Sequence, residues 1–164
     1  MHLFYSCIGL KKGDEVIVPA QTHVATAHAV ELTGAKPIFI DCDDTFCMNV
    51  SLIEKKITKR TKAIVPVHFT GYMTDMPSLM SIAKEKNLIV IEDSCQSILG
   101  AIDGKNAGTW GNCGAFSLHP LKNLNANSLH GKSSFDLKEI LNLFFSFSSS
   151  IKITEKCIPF RLNP

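Results

Sequence analysis

What this sequence lacks removes several classes of function before any motif is considered. No apolar run approaches the roughly 18 residues needed to cross a bilayer, and Met1 leads into His2-Leu3-Phe4-Tyr5 without a basic segment, so neither membrane insertion nor export is expected. No block of like charge occurs. The 17 basic and 15 acidic residues are interspersed over 164 positions for a formal charge of +2, which argues against nucleic acid and anionic membranes as partners. The six cysteines, at 7, 42, 47, 95, 113 and 157, have neither the spacing of a zinc knuckle nor that of a secreted disulfide framework. They read as reduced cytoplasmic thiols, several of them small core residues. His23, His28, His68 and His119, even with Cys95 added, show no diagnostic metal-ligand spacing, and no metal is expected. Neither G-x-x-x-x-G-K-[ST] nor a strand-linked G-x-G-x-x-G is present, which disfavours nucleotide sites built on those cradles. There is no internal repeat, no compositional linker and no second domain.

What is present suits one folded domain: a hydrophobic share of 45% in a chain long enough for one real core. Residues 2–10 read as the last turns of a helix, with Leu3, Phe4, Cys7 and Ile8 on one face and Gly13 in the left-handed cap position. Glu15–Val18 is a short strand stopped by Pro19, and Thr22 is the expected cap of a helix over His23–Thr33, ended by Gly34. A strand follows at Lys36–Ile40. Ser51 and Glu54 then make a capping box for a short helix in which Ile53 and Ile57 share a face. Ala63–Val67 is the next strand, and Asp75 caps a helix with Pro77 in its first turn and an apolar stripe of Met76, Leu79, Met80 and Ala83. Leu88–Ile91 is a strand again. Strand and helix thus alternate, which predicts an α/β domain with a mostly parallel sheet and flanking helices.

The chemistry is concentrated in Leu88–Asn123. A strand ends there in Glu92-Asp93, glycines follow at 100, 104, 108, 111 and 114, and a second strand at Cys113–Leu118 runs into His119-Pro120-Leu121-Lys122-Asn123. The glycines read as turns and close backbone approaches. A carboxylate and a lysine past neighbouring strands can meet in one crevice at the carboxyl edge of an open sheet. Asp93 can there bind a metal, steer a general base, face the protonated ring nitrogen of a heterocyclic cofactor, or merely cap the following turn. Lys122 can be a solvated surface group or a buried amine able to form a Schiff base with an aldehyde. The pair together suggests pyridoxal phosphate more than either residue does alone.

Five blocks in order carry a resemblance. They are Val18-Pro19-Ala20-Gln21-Thr22-His23-Val24-Ala25-Thr26, Gly34-Ala35-Lys36-Pro37-Ile38-Phe39-Ile40-Asp41, Thr61-Lys62-Ala63-Ile64-Val65-Pro66-Val67-His68, Ile91-Glu92-Asp93-Ser94-Cys95-Gln96 and Phe116-Ser117-Leu118-His119-Pro120-Leu121-Lys122-Asn123. Over residues 3–125 the chain closely resembles the DegT/DnrJ/EryC1/StrS family of pyridoxal-phosphate aminotransferases, which often act on keto sugars attached to nucleotides. The resemblance implies a partial fold-type-I large domain at 1–125, with Lys122 carrying the cofactor's aldehyde as a Schiff base and Asp93 paired with the pyridinium nitrogen. It also implies Gln96 beside the ring hydroxyl, Ser117 on the phosphate and His23 against the ring face. The implied partners are an amino donor, typically glutamate, a nucleotide-linked keto-sugar acceptor, and a second copy of the chain in a homodimer.

The departures shape the expectation for the whole. The family's phosphate motif precedes the helix found here at residues 2–10, and residues 126–164 match neither the Gly-rich continuation nor the small carboxyl-terminal domain, so they read as a divergent tail from truncation or a shifted frame. Phe135–Phe147 suggests an apolar helix that can be a sticky patch. A non-catalytic fragment or an interaction domain folding on a partner subunit is therefore the alternative to an active enzyme.

Overall fold

A computed structural model describes residues 1–117, and the expectations placed on the tail, on His119 and on Lys122 lie outside the described residues. Four helices and seven strands follow in order: α1 (His2–Cys7), β1 (Glu15–Pro19), α2 (Val24–Glu31), β2 (Lys36–Ile40), α3 (Ile53–Lys56), β3 (Thr61–Ile64), α4 (Met76–Glu85), β4 (Ile89–Asp93), β5 (Ala101–Ile102), β6 (Lys105–Asn106) and β7 (Cys113–Ala115). Five strands form one sheet in the order β2-β1-β3-β4-β7, and every pairing in it is parallel. The α/β expectation is therefore met.

Strand alternation distributes the apolar residues to two cores, because successive side chains leave a strand on opposite faces. Val16, Val18, Ala63, Val65 and Ile91 face a cluster that includes Tyr5 of α1 and Ala29 and Val30 of α2. Ile17, Ile64 and Val90 face the other, with Ile53 of α3 and Met76, Leu79 and Ala83 of α4. Both faces of the sheet are thus covered. The path from β1 to β2 runs one way across the sheet, and the path from β2 through β3 to β4 runs the other. That reversal lies between β1 and β3, and ligands of open α/β sheets bind at such a point, outside the carboxyl ends of the strands.

Several local expectations need correction. Helix α1 ends at Cys7, not at Leu10, because Gly9 takes the left-handed conformation (φ 74°) while its N–H donates to Ser6 O at 3.0 Å and Leu10 N–H donates to Tyr5 O at 3.1 Å. Those two bonds are a Schellman termination, and Gly9, nearer the helix, leaves Gly13 to a later turn. The cap of α2 is His23, whose Nδ1 accepts from Ala25 N–H at 3.2 Å; Thr22 is turned to another partner. The expected capping box does not form either. Asn49 Oδ1 accepts from both the N–H and the hydroxyl of Ser51, so a 3-10 turn at Val50–Leu52 leads into α3. Asp75 does cap α4, accepting from Ser78 N–H at 3.2 Å.

The glycine-rich segment folds as a loop over β4. Asp103 (φ 51°) and Gly104 (φ 76°) make the two-residue turn between β5 and β6, a hairpin that the Asp-Gly pair encodes. Gly111 and Gly114 serve close approach instead: a Cβ on Gly111 would stand 2.6 Å from Val90 O, and one on Gly114 2.5 Å from Gly108 Cα.

Candidate active site

Asp93 is the last residue of β4 and lies at the carboxyl edge of the sheet, 7% exposed. Its main chain is held on both sides, since its N–H donates to Pro66 O at 2.9 Å and its carbonyl accepts from His68 N–H at 3.0 Å. Its carboxylate accepts two hydrogen bonds from described residues. Thr26 Oγ1 donates to Oδ2 at 3.1 Å, and Cys95 N–H donates to Oδ1 at 3.2 Å. A carboxylate offers about four acceptor positions, so acceptor capacity remains for a further N–H.

The preceding carboxylate is a useful contrast. Glu92 is fully buried on the opposite face and accepts from Gly108 N–H at 2.8 Å, Trp110 N–H at 2.7 Å, Gly111 N–H at 2.7 Å and His68 Nε2 at 3.0 Å. His68 Nδ1 accepts from Thr74 N–H at 3.3 Å, so the imidazole proton sits on Nε2 and is given to Glu92. Glu92 is saturated by donors from the chain. It fastens the glycine-rich loop to β4 and has no acceptor left for a ligand, whereas Asp93 does.

Of the other expected site residues, the described ones, Gln96, Ser117 and His23, lie on segments that leave or enter the same edge as Asp93. Gln96 follows three residues later, half-buried, with its Oε1 accepting from Thr70 N–H at 3.4 Å. Ser117 is half-buried two residues past the end of β7, whose Ala115 is in register with Asp93. His23 stands exposed at the start of α2, one turn before Thr26, which touches Asp93. Its role as a cap fixes the ring through Nδ1 and leaves the rest of the ring accessible. A wide cleft of about 510 Å³ adjoins the β1 and β2 side of this edge, lined by Ala20, Gln21, Asp41, Cys42, Asp43 and Phe46.

Two groups near Asp93 were not anticipated. Thr26 is 1% exposed, and its hydroxyl also pairs with Thr22 Oγ1 at 2.9 Å. Tyr5 is fully buried, and its hydroxyl has no hydrogen-bond partner among the described residues. Burial, then the negative charge of Asp93, hold that phenol in its neutral form far above the usual range. Burial likewise pushes the Cys113 thiol up to about 12, which removes it as a nucleophile. Among the described residues no three His, Cys, Asp or Glu side chains are grouped to hold a metal. His68, one of the histidines weighed for that purpose, is committed to Glu92 and Thr74.

This arrangement can be set beside known proteins. The profile of the DegT/DnrJ/EryC1/StrS aminotransferase family matches residues 1–128. The chain belongs to that family. It is 51% identical over 115 residues to a UDP-N-acetyl-3-dehydro-α-D-glucosamine 3-aminotransferase of Acidithiobacillus ferrooxidans, an alignment covering 70% of this chain and 31% of the relative. It is 46% identical over 118 residues to a GDP-perosamine synthase of Escherichia coli O157:H7, covering 71% and 32%. Among solved structures, NtdA of Bacillus subtilis with bound cofactor PMP superposes with a TM-score of 0.69 at 40% identity, covering 74% of this chain and 27% of that one. The chain thus spans about a third of the length of the curated relatives it matches. The family match accounts for the parallel sheet. Among the described residues no helix is long and apolar enough to cross a membrane.

Proposed function

We propose that residues 1–125 are part of the cofactor-binding domain of a pyridoxal-phosphate-dependent aminotransferase that takes an amino group from glutamate and delivers it to the keto carbon of a nucleotide-linked sugar in the cytoplasm. The observation that carries this reading is the difference between two adjacent carboxylates. Glu92 is saturated, while Asp93 is buried, fixed in place and still able to accept a hydrogen bond at the carboxyl edge of the sheet. The aminotransferases to which the chain is similar support the substrate class.

The residues present suit the cofactor. Pyridoxal phosphate supplies an electron-poor ring that accepts negative charge from the carbon beside the amino nitrogen. Asp93 would keep a proton on the ring nitrogen and so offset that charge. A carboxylate already held by two donors does so without reorganising. His23, Gln96 and Ser117 would hold the cofactor's ring face, ring hydroxyl and phosphate respectively. Lys122 would hold the cofactor through its aldehyde, and its amine would be the group to carry a proton at the donor's α-carbon. A homodimer goes with this reading, and the exposed apolar side chains of Val24 (73% exposed) and Leu99 (89% exposed) are candidates for burial in it.

The test is spectroscopic. The 164-residue chain mixed with pyridoxal phosphate is expected to show the visible absorption of a lysine-linked cofactor, and glutamate is expected to bleach it. Absence of the band in the wild-type chain, or its survival in Lys122→Ala, refutes the assignment. A band that forms but ignores glutamate instead favours a domain that binds cofactor without turning it over.

A further inference from the structure

We propose that Thr26, backed by Thr22, is the positioning residue for Asp93, fixing the carboxylate so that its remaining acceptor capacity is presented in one direction. This deepens the reading given under Proposed function and rests on it for the identity of the group that Asp93 meets. Thr26 and Asp93 are 67 positions apart in sequence, yet Oγ1 lies 3.1 Å from Oδ2 at a buried contact. An ionised carboxylate only accepts, so the single hydroxyl proton of Thr26 points at Asp93. That settles the neighbouring pair as well: at 2.9 Å, the Thr22 hydroxyl must donate and the Thr26 oxygen accept. The result is a directed relay, Thr22 to Thr26 to Asp93.

The relay supplies a constraint that the backbone does not. Cys95 N–H holds Oδ1 at 3.2 Å and Thr26 holds Oδ2, so one donor on each oxygen pins both side-chain torsions of Asp93. Among the described residues Thr26 is the sole side-chain donor to this carboxylate, since the nearby Tyr5 hydroxyl makes no hydrogen bond. Thr26 also lies in the first turn of α2, which brings the positive end of the helix towards the same negative charge. A valine there would keep the shape and lose the donor. A serine would keep the donor.

Two readouts test the proposal on the full chain. In the cofactor-free protein, the carboxyl carbon resonance of Asp93, assigned by its loss in Asp93→Asn and followed at fixed pH, is expected to move in Thr26→Val and to stay in place in Thr26→Ser. With pyridoxal phosphate added, Thr26→Val is expected to raise the dissociation constant by about tenfold, as loss of one buried hydrogen bond to a charged group implies, with Thr26→Ser within about twofold of wild type. An unmoved Asp93 resonance in Thr26→Val overturns the proposal, as does a Thr26→Ser variant as impaired as Thr26→Val. A Thr26→Val chain that is less stable to urea but binds the cofactor as wild type does also overturns it, since that is a purely structural role. If the wild-type chain binds no pyridoxal phosphate, the cofactor reading fails, and the resonance alone still decides whether Thr26 positions Asp93.

Discussion

At the scale of single residues, the decisive fact is that two neighbouring carboxylates do opposite work. Glu92 and Asp93 leave β4 on opposite faces, and the partners they meet there set their roles. Glu92 takes three backbone N–H groups and one imidazole N–H, with no water needed to complete it. Replacing it with glutamine leaves one oxygen as acceptor and puts an amide NH2 against the two donors on the other, so either the Trp110 and Gly111 N–H groups or the Gly108 N–H and His68 Nε2 lose their acceptor. Glu92→Gln is expected to destabilise the fold by about 2–4 kcal/mol, measured as a lower urea midpoint. The sequence showed that an acidic pair ends this strand. It did not show which member is structural, because that depends on the Gly108–Gly111 backbone folding back over β4.

At the scale of elements, the glycines separate into those needed for conformation and those needed for space. Gly9 has φ 74° with nothing within 4 Å of where a Cβ would stand, so Gly9→Ala meets only the left-handed backbone penalty, about 1–2 kcal/mol. At Gly111 a Cβ would press on Val90 O, a backbone atom of the central sheet that cannot step aside. Gly111→Ala is expected to cost about 3 kcal/mol or more, and thermal unfolding of the two variants side by side checks the order. The helix caps show the same limit on local reading. Asp75 was legible because its cap bond is made within the first turn, as was the apolar stripe of α4. Thr22 and Ser51 were misassigned because each had a better partner, Thr26 for one and Asn49 for the other.

At the scale of the whole molecule, the two edges of the sheet carry different duties. The carboxyl edge collects Asp93, Gln96, His23 and Ser117. The amino edge is tied by Glu15 of β1, 3% exposed, which accepts from Thr58 Oγ1 at 2.5 Å and from Arg60 Nε and Nη2 at 2.9 and 2.6 Å. The Thr58 hydroxyl first, and then the Arg60 guanidinium against an opposing effect of burial, hold this carboxyl below the usual carboxylate range. A carboxyl depressed in the folded state stabilises the fold above its unfolded-state value, and that contribution is lost as pH falls through the folded value. The thermal midpoint of the wild-type chain is therefore expected to fall below about pH 4 more steeply than that of Glu15→Gln. Equal slopes would show that the tie contributes nothing to acid stability.

The sequence by itself determined the order of strands and helices, the parallel α/β class, the family and the strand end that bears the carboxylate. Each of these is written in local periodicity, in turn residues or in ordered blocks, and none requires knowing what lies across the sheet. Only the tertiary structure decided that Glu92 is spent on the glycine-rich loop, that Asp93 keeps acceptor capacity, and that a threonine 67 positions earlier aims a proton at it. Alternation along a strand says that two neighbours face apart. What waits on each side is set by elements distant in the chain, and their hydrogen bonds exist only once the sheet is assembled.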